Sequence, residues 1–86
     1  MEWTYFKDES PTEEESMFAK FYGTDKWTSA MFRTARCNLL FTIEHKGERI
    51  VVDGRMLDGK PMCDYVRMYP DAKYIAWMSY PKPIED

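Results

Sequence analysis

The stretch Cys37-Asn-Leu-Leu-Phe-Thr-Ile-Glu-His-Lys-Gly-Glu-Arg-Ile-Val-Val-Asp-Gly-Arg-Met56 decides the fold, because it reads as two strands around a Lys-Gly turn. Both runs are rich in β-branched and aromatic residues, which suit a pleated, half-buried surface. Taking Lys46-Gly47 as a two-residue loop pairs His45 with Glu48, Glu44 with Arg49, Ile43 with Ile50 and Phe41 with Val52. Leu39, Phe41, Ile43, Ile50 and Val52 then share one face, and Glu44 meets Arg49 on the other. A slip of one residue would turn the whole apolar set outward, so this register is strongly specified.

Working outward toward the N-terminus, Ser10-Pro11-Thr12-Glu13 has the chemistry of a helix start. Ser10 can cap, Pro11 suits the first helical position, and Glu13, Glu14 and Glu15 fall where the helix dipole favours acids. Met17, Phe18, Phe21 and Tyr22 recur at helical spacing and Gly23 is a natural stop. The pattern predicts a helix over 11–22. A second short helix within 24–36 would present Trp27, Ala30, Met31 and Thr34 on one side. Trp3 to Lys7 reads as an edge strand or an extended arm. Toward the C-terminus, Asp58-Gly59-Lys60-Pro61 is turn chemistry, 62–69 suits either strand or helix, and Tyr74–Met78 reads as a last strand. The expected architecture is α+β: a single domain, 1–86, with an N-terminal helical third packed on a small antiparallel sheet of about three strands built around the 37–56 hairpin.

Composition narrows the function classes. A chain of 86 residues with 44% hydrophobic and 31% charged side chains is that of one globular domain. No apolar run approaches the roughly twenty residues that span a bilayer, and the start shows no signal-peptide pattern, so a cytoplasmic location is expected. Cys37 and Cys63 have neither disulfide-framework nor metal-ligand spacing and read as buried thiols. The net charge of −3 hides an asymmetry: residues 1–25 hold seven acids against two bases, and the rest holds eight acids against ten bases.

Three stretches resemble a family of small phage and prophage proteins, known only as domain of unknown function five-five-one, and related phage sequences. The ending Ile75-Ala-Trp77-Met78-Ser-Tyr80-Pro81-Lys-Pro83 is similar to that family's strand followed by Trp-Met-Pro-Leu-Pro-x-Pro, with Ser79 and Tyr80 replacing Pro-Leu. Phe21-Tyr-Gly-Thr-Asp-Lys-Trp27 with Met31, and Gly54 through Asp58-Gly59, resemble related phage sequences. The resemblance implies a mobile-element gene expressed inside a bacterial host. It brings no catalytic residues.

Catalytic and metal chemistry find no footing. His45 is the single histidine and reads as an exposed strand-end residue. Cys37 lies eight residues away on the same strand, roughly 26 Å at strand rise, and Cys63 completes no motif with it. No chelate spacing, EF-hand or phosphate-binding glycine pattern occurs, so no metal and no cofactor is expected. Three features remain as candidate binding residues. Glu13, Glu14 and Glu15 read either as helix-start chemistry or as an acidic contact face. Trp27, Arg33 and Arg36 read either as core plus solvated arginines or as an aromatic–arginine pocket for a nucleotide. Trp77 and Tyr80 read either as core or as a docking surface.

The expected function is that of a non-enzymatic phage or prophage binding protein. Its partner would be a host protein, with the chain inhibiting a bacterial defence complex (anti-CRISPR-like or similar) by protein–protein contact. The alternative is a binder that sequesters a nucleotide signal through Trp27, Arg33 and Arg36. Neither direct nucleic-acid binding nor a membrane partner is expected, and a homodimer is compatible with the small core and an unpaired edge strand.

Overall fold

In the computed structural model, which describes residues 2–81, the hairpin forms in the register its sequence dictates. β3 (Thr34–His45) pairs antiparallel with β4 (Glu48–Leu57), joining Phe41 to Val52, Ile43 to Ile50, Glu44 to Arg49 and His45 to Glu48. Lys46 and Gly47 both take positive φ, 52° and 80°, the backbone that lets a two-residue loop follow the twist of its strands. Around this hairpin an antiparallel sheet of six strands is laid down. β1 (Thr4–Tyr5) pairs β6 (Lys73–Ser79), β6 pairs β3, β4 pairs β5 (Lys60–Met62), and β2 (Glu14–Glu15) also pairs β3. A single short helix, α1 (Asp64–Met68), and one 3-10 turn over Ala19–Phe21 complete the regular structure of the described residues.

This overturns the expected helical N-terminal third. Glu13, Glu14 and Glu15 do not open a helix; Glu14 and Glu15 extend the sheet, opposite Ala35 and Thr34. The reason lies in β3. β6 covers β3 only from Leu39 to Glu44, which leaves the earlier backbone groups of β3 without a neighbour on that edge. Glu14 and Glu15 pair with the first two residues of β3, and just before the strand the Ser16 N–H donates to Arg33 O at 2.8 Å. A helix of about a dozen residues is marginal without tertiary packing, and Met17, one of the four residues of the anticipated stripe, is 78% exposed. The second expected helix is absent as well. Residues 21–31 run through successive i to i+3 turns, from Thr24 N to Phe21 O, Trp27 N to Thr24 O and Met31 N to Thr28 O. Thr34, Ala35 and Arg36 belong to β3, which begins three residues earlier than the sequence pattern suggested. The ambiguous 62–69 stretch divides into the end of β5 and α1.

Two bulges set which side chains share the core face. Asn38, at φ 60°, lies in the irregularity between the Arg36–Met56 and Leu39–Gly54 pairs. Asparagine tolerates this left-handed conformation better than most residues. A second irregularity falls between the Thr42–Ala76 and Ile43–Tyr74 pairs. It puts Tyr74 and Trp77 on one face although they are three residues apart. That face carries Leu39, Phe41, Ile43 and Met56, all essentially inaccessible, with Phe6, Ile50, Val52, Tyr74 and Trp77 around them. Cys63, Tyr65 and Val66 close over it from α1 and the residue before it. Each fully buried side chain of this kind contributes about 1.5–3 kcal/mol. Phe41 sits at the centre, edge-on to Phe6 at 5.2 Å and to Tyr74 at 5.5 Å. Burial, with the Cys63 thiol alongside, pushes the Tyr74 hydroxyl up to about 12.

The two cysteines part company. Cys63 is buried, as anticipated, but Cys37 is exposed, because it falls in the bulged stretch where the alternation of β3 is broken. His45 is also not an exposed strand end. Only 8% of its side chain is accessible; Nε2 lies 3.1 Å from Asp71 Oδ2 and Nδ1 2.9 Å from the Tyr65 hydroxyl. The imidazole also packs on Tyr69, ring centres 5.0 Å apart. It braces the hairpin turn against α1 and the loop before β6.

Candidate functional site

The other face of the sheet follows from the same register. Tyr5 is paired with Ala76, Ala76 with Thr42, and Thr42 with Val51, so these four form one row across four strands. Met78, Leu40 and Asp53 form the next row. Beyond them the Tyr80 hydroxyl donates to the Asp53 carboxylate, and the Tyr80 N–H bonds Asn38 O at 3.0 Å. On the core face, side chains at the corresponding positions are covered. Here Val51 is 58% exposed, Tyr5 45% and Tyr80 40%, and Trp3, two residues before Tyr5, is 38% exposed. The outcome is a face of aromatic and aliphatic groups, with Ala76 and Met78 buried in its middle and larger groups standing open around them. At the hairpin end it finishes in the Glu44–Arg49 pair, 3.8 Å apart.

Arg36 and Trp77 are engaged with their own chain. The Arg36 guanidinium donates to Thr12 O, Thr12 Oγ1 and, at 2.7 Å, Ser79 Oγ, and it lies 5.4 Å from the centre of the Trp77 ring. Trp77 in turn donates its indole N–H to Glu9 O at 2.9 Å. Together they strap the 9–12 segment, including buried Pro11, to the ends of β3 and β6. Pro83, the last proline of the quoted C-terminal pattern, lies outside the described residues.

Trp27 and Arg33 do come together, through Tyr22. The Arg33 guanidinium is stacked 4.2 Å over the Tyr22 ring, and Tyr22 meets Trp27 edge-on at 5.2 Å. Beside them is a depression of about 610 Å³ that Glu15, Thr34 and Asp58 also line. Arg36 is not part of it. Of the acidic residues, Glu14 and Glu15 are exposed, whereas Glu13 is half-buried and accepts from Thr34 Oγ1 at 3.2 Å.

Tyr5 and Val51 escaped the sequence reading. A signal for Val51 is present in the unbroken runs Leu39-Leu40-Phe41 and Ile50-Val51-Val52. Continuous apolar character in a strand marks contact on both faces, whereas a strand with one wet face alternates. No family model matches the chain, and the searches of curated proteins and of solved structures return no match either.

Proposed function

We propose that this chain is a binding protein that works by protein–protein contact, its target a host protein of a bacterial defence system that it inhibits. The observation that carries the contact reading is the open sheet face on which Tyr5, Val51 and Tyr80 stand exposed around the buried Ala76 and Met78. Clustered exposed aromatic and aliphatic groups form the centre of protein interfaces, where tyrosine and tryptophan dominate the energetics. Tyr80 is held ready by its bonds to Asp53 and Asn38, which lowers the ordering cost of binding. The exposed carboxylates of Asp8, Glu9, Glu14 and Glu15 add a negative field that favours a basic partner surface. The defence setting rests on the resemblance of the Trp77–Pro81 segment to phage proteins.

The test is retention of host proteins by the tagged chain from bacterial lysate, repeated with Tyr5→Asp and Val51→Asp, whose exposed positions leave the core untouched. The expected result is one protein held by the wild type and released by both variants. Its activity should fall when the wild-type chain is added. Equal retention by the variants overturns the reading. So does self-association through this face, seen by light scattering, with no second protein held.

A further inference from the structure

At the far end of β4 and β5 is a cleft of about 730 Å³ in which three cationic side chains, Arg55, Lys60 and Arg67, converge. β4 and β5 supply the first two: Arg55 is paired with Met62 and Leu57 with Lys60, so all four lie on the same side of the sheet. Arg67 comes from the last turn of α1. Among the described residues none of the three has a carboxylate within ion-pair distance; the ion pairs there are His45–Asp71 and Arg49–Glu44. One acid, Asp58, does line the cleft, but its Oδ1 already accepts from the backbone N–H groups of Arg33, at 2.7 Å, and Thr34, at 3.3 Å. Three like charges in one concavity repel one another, and low-dielectric walls focus their field on whatever enters.

Most of the remaining wall is apolar, Met31, Phe32, Leu57 and Met62, with Ser29, Ala30 and Cys37 beside them. This combination suits a ligand with one anionic end and one flat apolar end. Arginine forks match phosphate oxygens in a bidentate manner, thioether sulfurs pack well on aromatic rings, and the cleft is of the size that takes small organic ligands. We propose that this cleft binds a small organic phosphate of the nucleotide class. Arg55, Lys60 and Arg67 take the phosphates, and Met31, Phe32 and Met62 take the ring. It adjoins the Tyr22–Arg33 stack, Asp58 lining both, but draws on different cationic and aromatic side chains, and its side chains are not those of the Tyr5–Val51 row. Binding here is independent of the protein-contact reading above.

Titration calorimetry on the full chain tests this with ATP, a cyclic dinucleotide and inorganic pyrophosphate. A nucleotide is expected to bind more tightly than pyrophosphate, because only the nucleotide fills the apolar half. Arg67→Ala and Arg55→Ala should each weaken it by about tenfold or more, while Tyr5→Asp leaves it unchanged. Thermal melts establish that the variants fold, and the wild type should melt higher in the presence of the ligand that binds. No binding of either nucleotide at about 1 mM overturns the proposal. So does pyrophosphate binding as tightly as the nucleotides. Affinity that survives both arginine variants and disappears in Arg33→Ala likewise overturns it, moving the site to the Tyr22–Arg33 stack.

Discussion

Adding a single methyl group at Gly54 should damage this fold more than most core truncations. Gly54 lies opposite Leu39 in the β3–β4 ladder, and a Cβ built on it would stand less than 3.0 Å from Cγ, Cδ2 and Cε2 of Phe41. The ring cannot retreat. Phe41 is wholly buried, with Phe6 and Tyr74 edge-on to it at 5.2 and 5.5 Å. The backbone cannot retreat either, since β4 is held between β3 and β5. Overpacking of this kind costs about 1–3 kcal/mol, and with both partners pinned the upper figure, about 3, applies to Gly54→Ala. Replacing glycine by alanine in a strand returns about 0.5–1 kcal/mol of backbone entropy. The net loss is then about 2 kcal/mol, which for a domain of this size lowers Tm by about 8–16 °C. Urea and thermal unfolding of Gly54→Ala measure it directly. The companion is Phe41→Leu, which destabilises the wild type but removes the ring that the new methyl meets. On that background Gly54→Ala should cost less than about 0.5 kcal/mol, a coupling expected only of residues in contact. A Gly54→Ala variant as stable as the wild type, or one whose cost is the same on both backgrounds, would refute the reasoning.

Other expectations follow from the turns and from Tyr74. Lys46→Asn places the favoured Asn-Gly pair in a turn whose two central residues both have positive φ, and should stabilise by about 0.5–1 kcal/mol in urea unfolding. Asp58→Ala keeps the neighbouring Gly59 but removes the acceptor for Arg33 N and Thr34 N, so about 1 kcal/mol of stability should be lost, with faster amide exchange at both residues. Tyr74 titrates near 12 when folded and near 10 when unfolded, so above pH 10 the unfolded chain releases its proton first. Stability should therefore fall between about pH 10 and 12, and Tyr74→Phe should make the urea midpoint decline less steeply there; identical slopes would contradict it. His45→Ala removes the brace to Tyr65 and Asp71 and should loosen α1, seen as faster amide exchange at Arg67 and Tyr69, whose N–H groups bond Cys63 O and Tyr65 O.

The hairpin was legible because its information is local. Apolar alternation around Lys46-Gly47 admits one register, and each pair expected there forms. The N-terminal third was not legible, for the opposite reason. Ser10-Pro11 and three glutamates are good helix-start chemistry, yet their fate depends on β3 leaving an edge open opposite residues 14–16, a fact set some twenty residues downstream. The candidate binding residues divide in the same manner. Trp27 and Arg33 lie close together in the chain and meet in space through Tyr22, a residue the sequence pattern assigned to a helical stripe. Arg36, just three residues on, points instead to Thr12, Ser79 and Trp77, because the bulge at Asn38 returns it to the core face.

What the chain determines by itself is therefore the β3–β4 pairing, the turns at Lys46-Gly47 and Asp58-Gly59, the Glu44–Arg49 pair and the final strand. All of these are short-range consequences of side-chain period and backbone preference. Only the tertiary structure decides the rest: that an acidic segment becomes a strand, that His45 is enclosed by Tyr65, Tyr69 and Asp71, and that Tyr5 and Val51 share an open row. It alone gathers Arg55, Lys60 and Arg67 around one cleft. Each of these depends on contacts between residues far apart in sequence, and no local periodicity encodes which edge, face or cleft such residues will share.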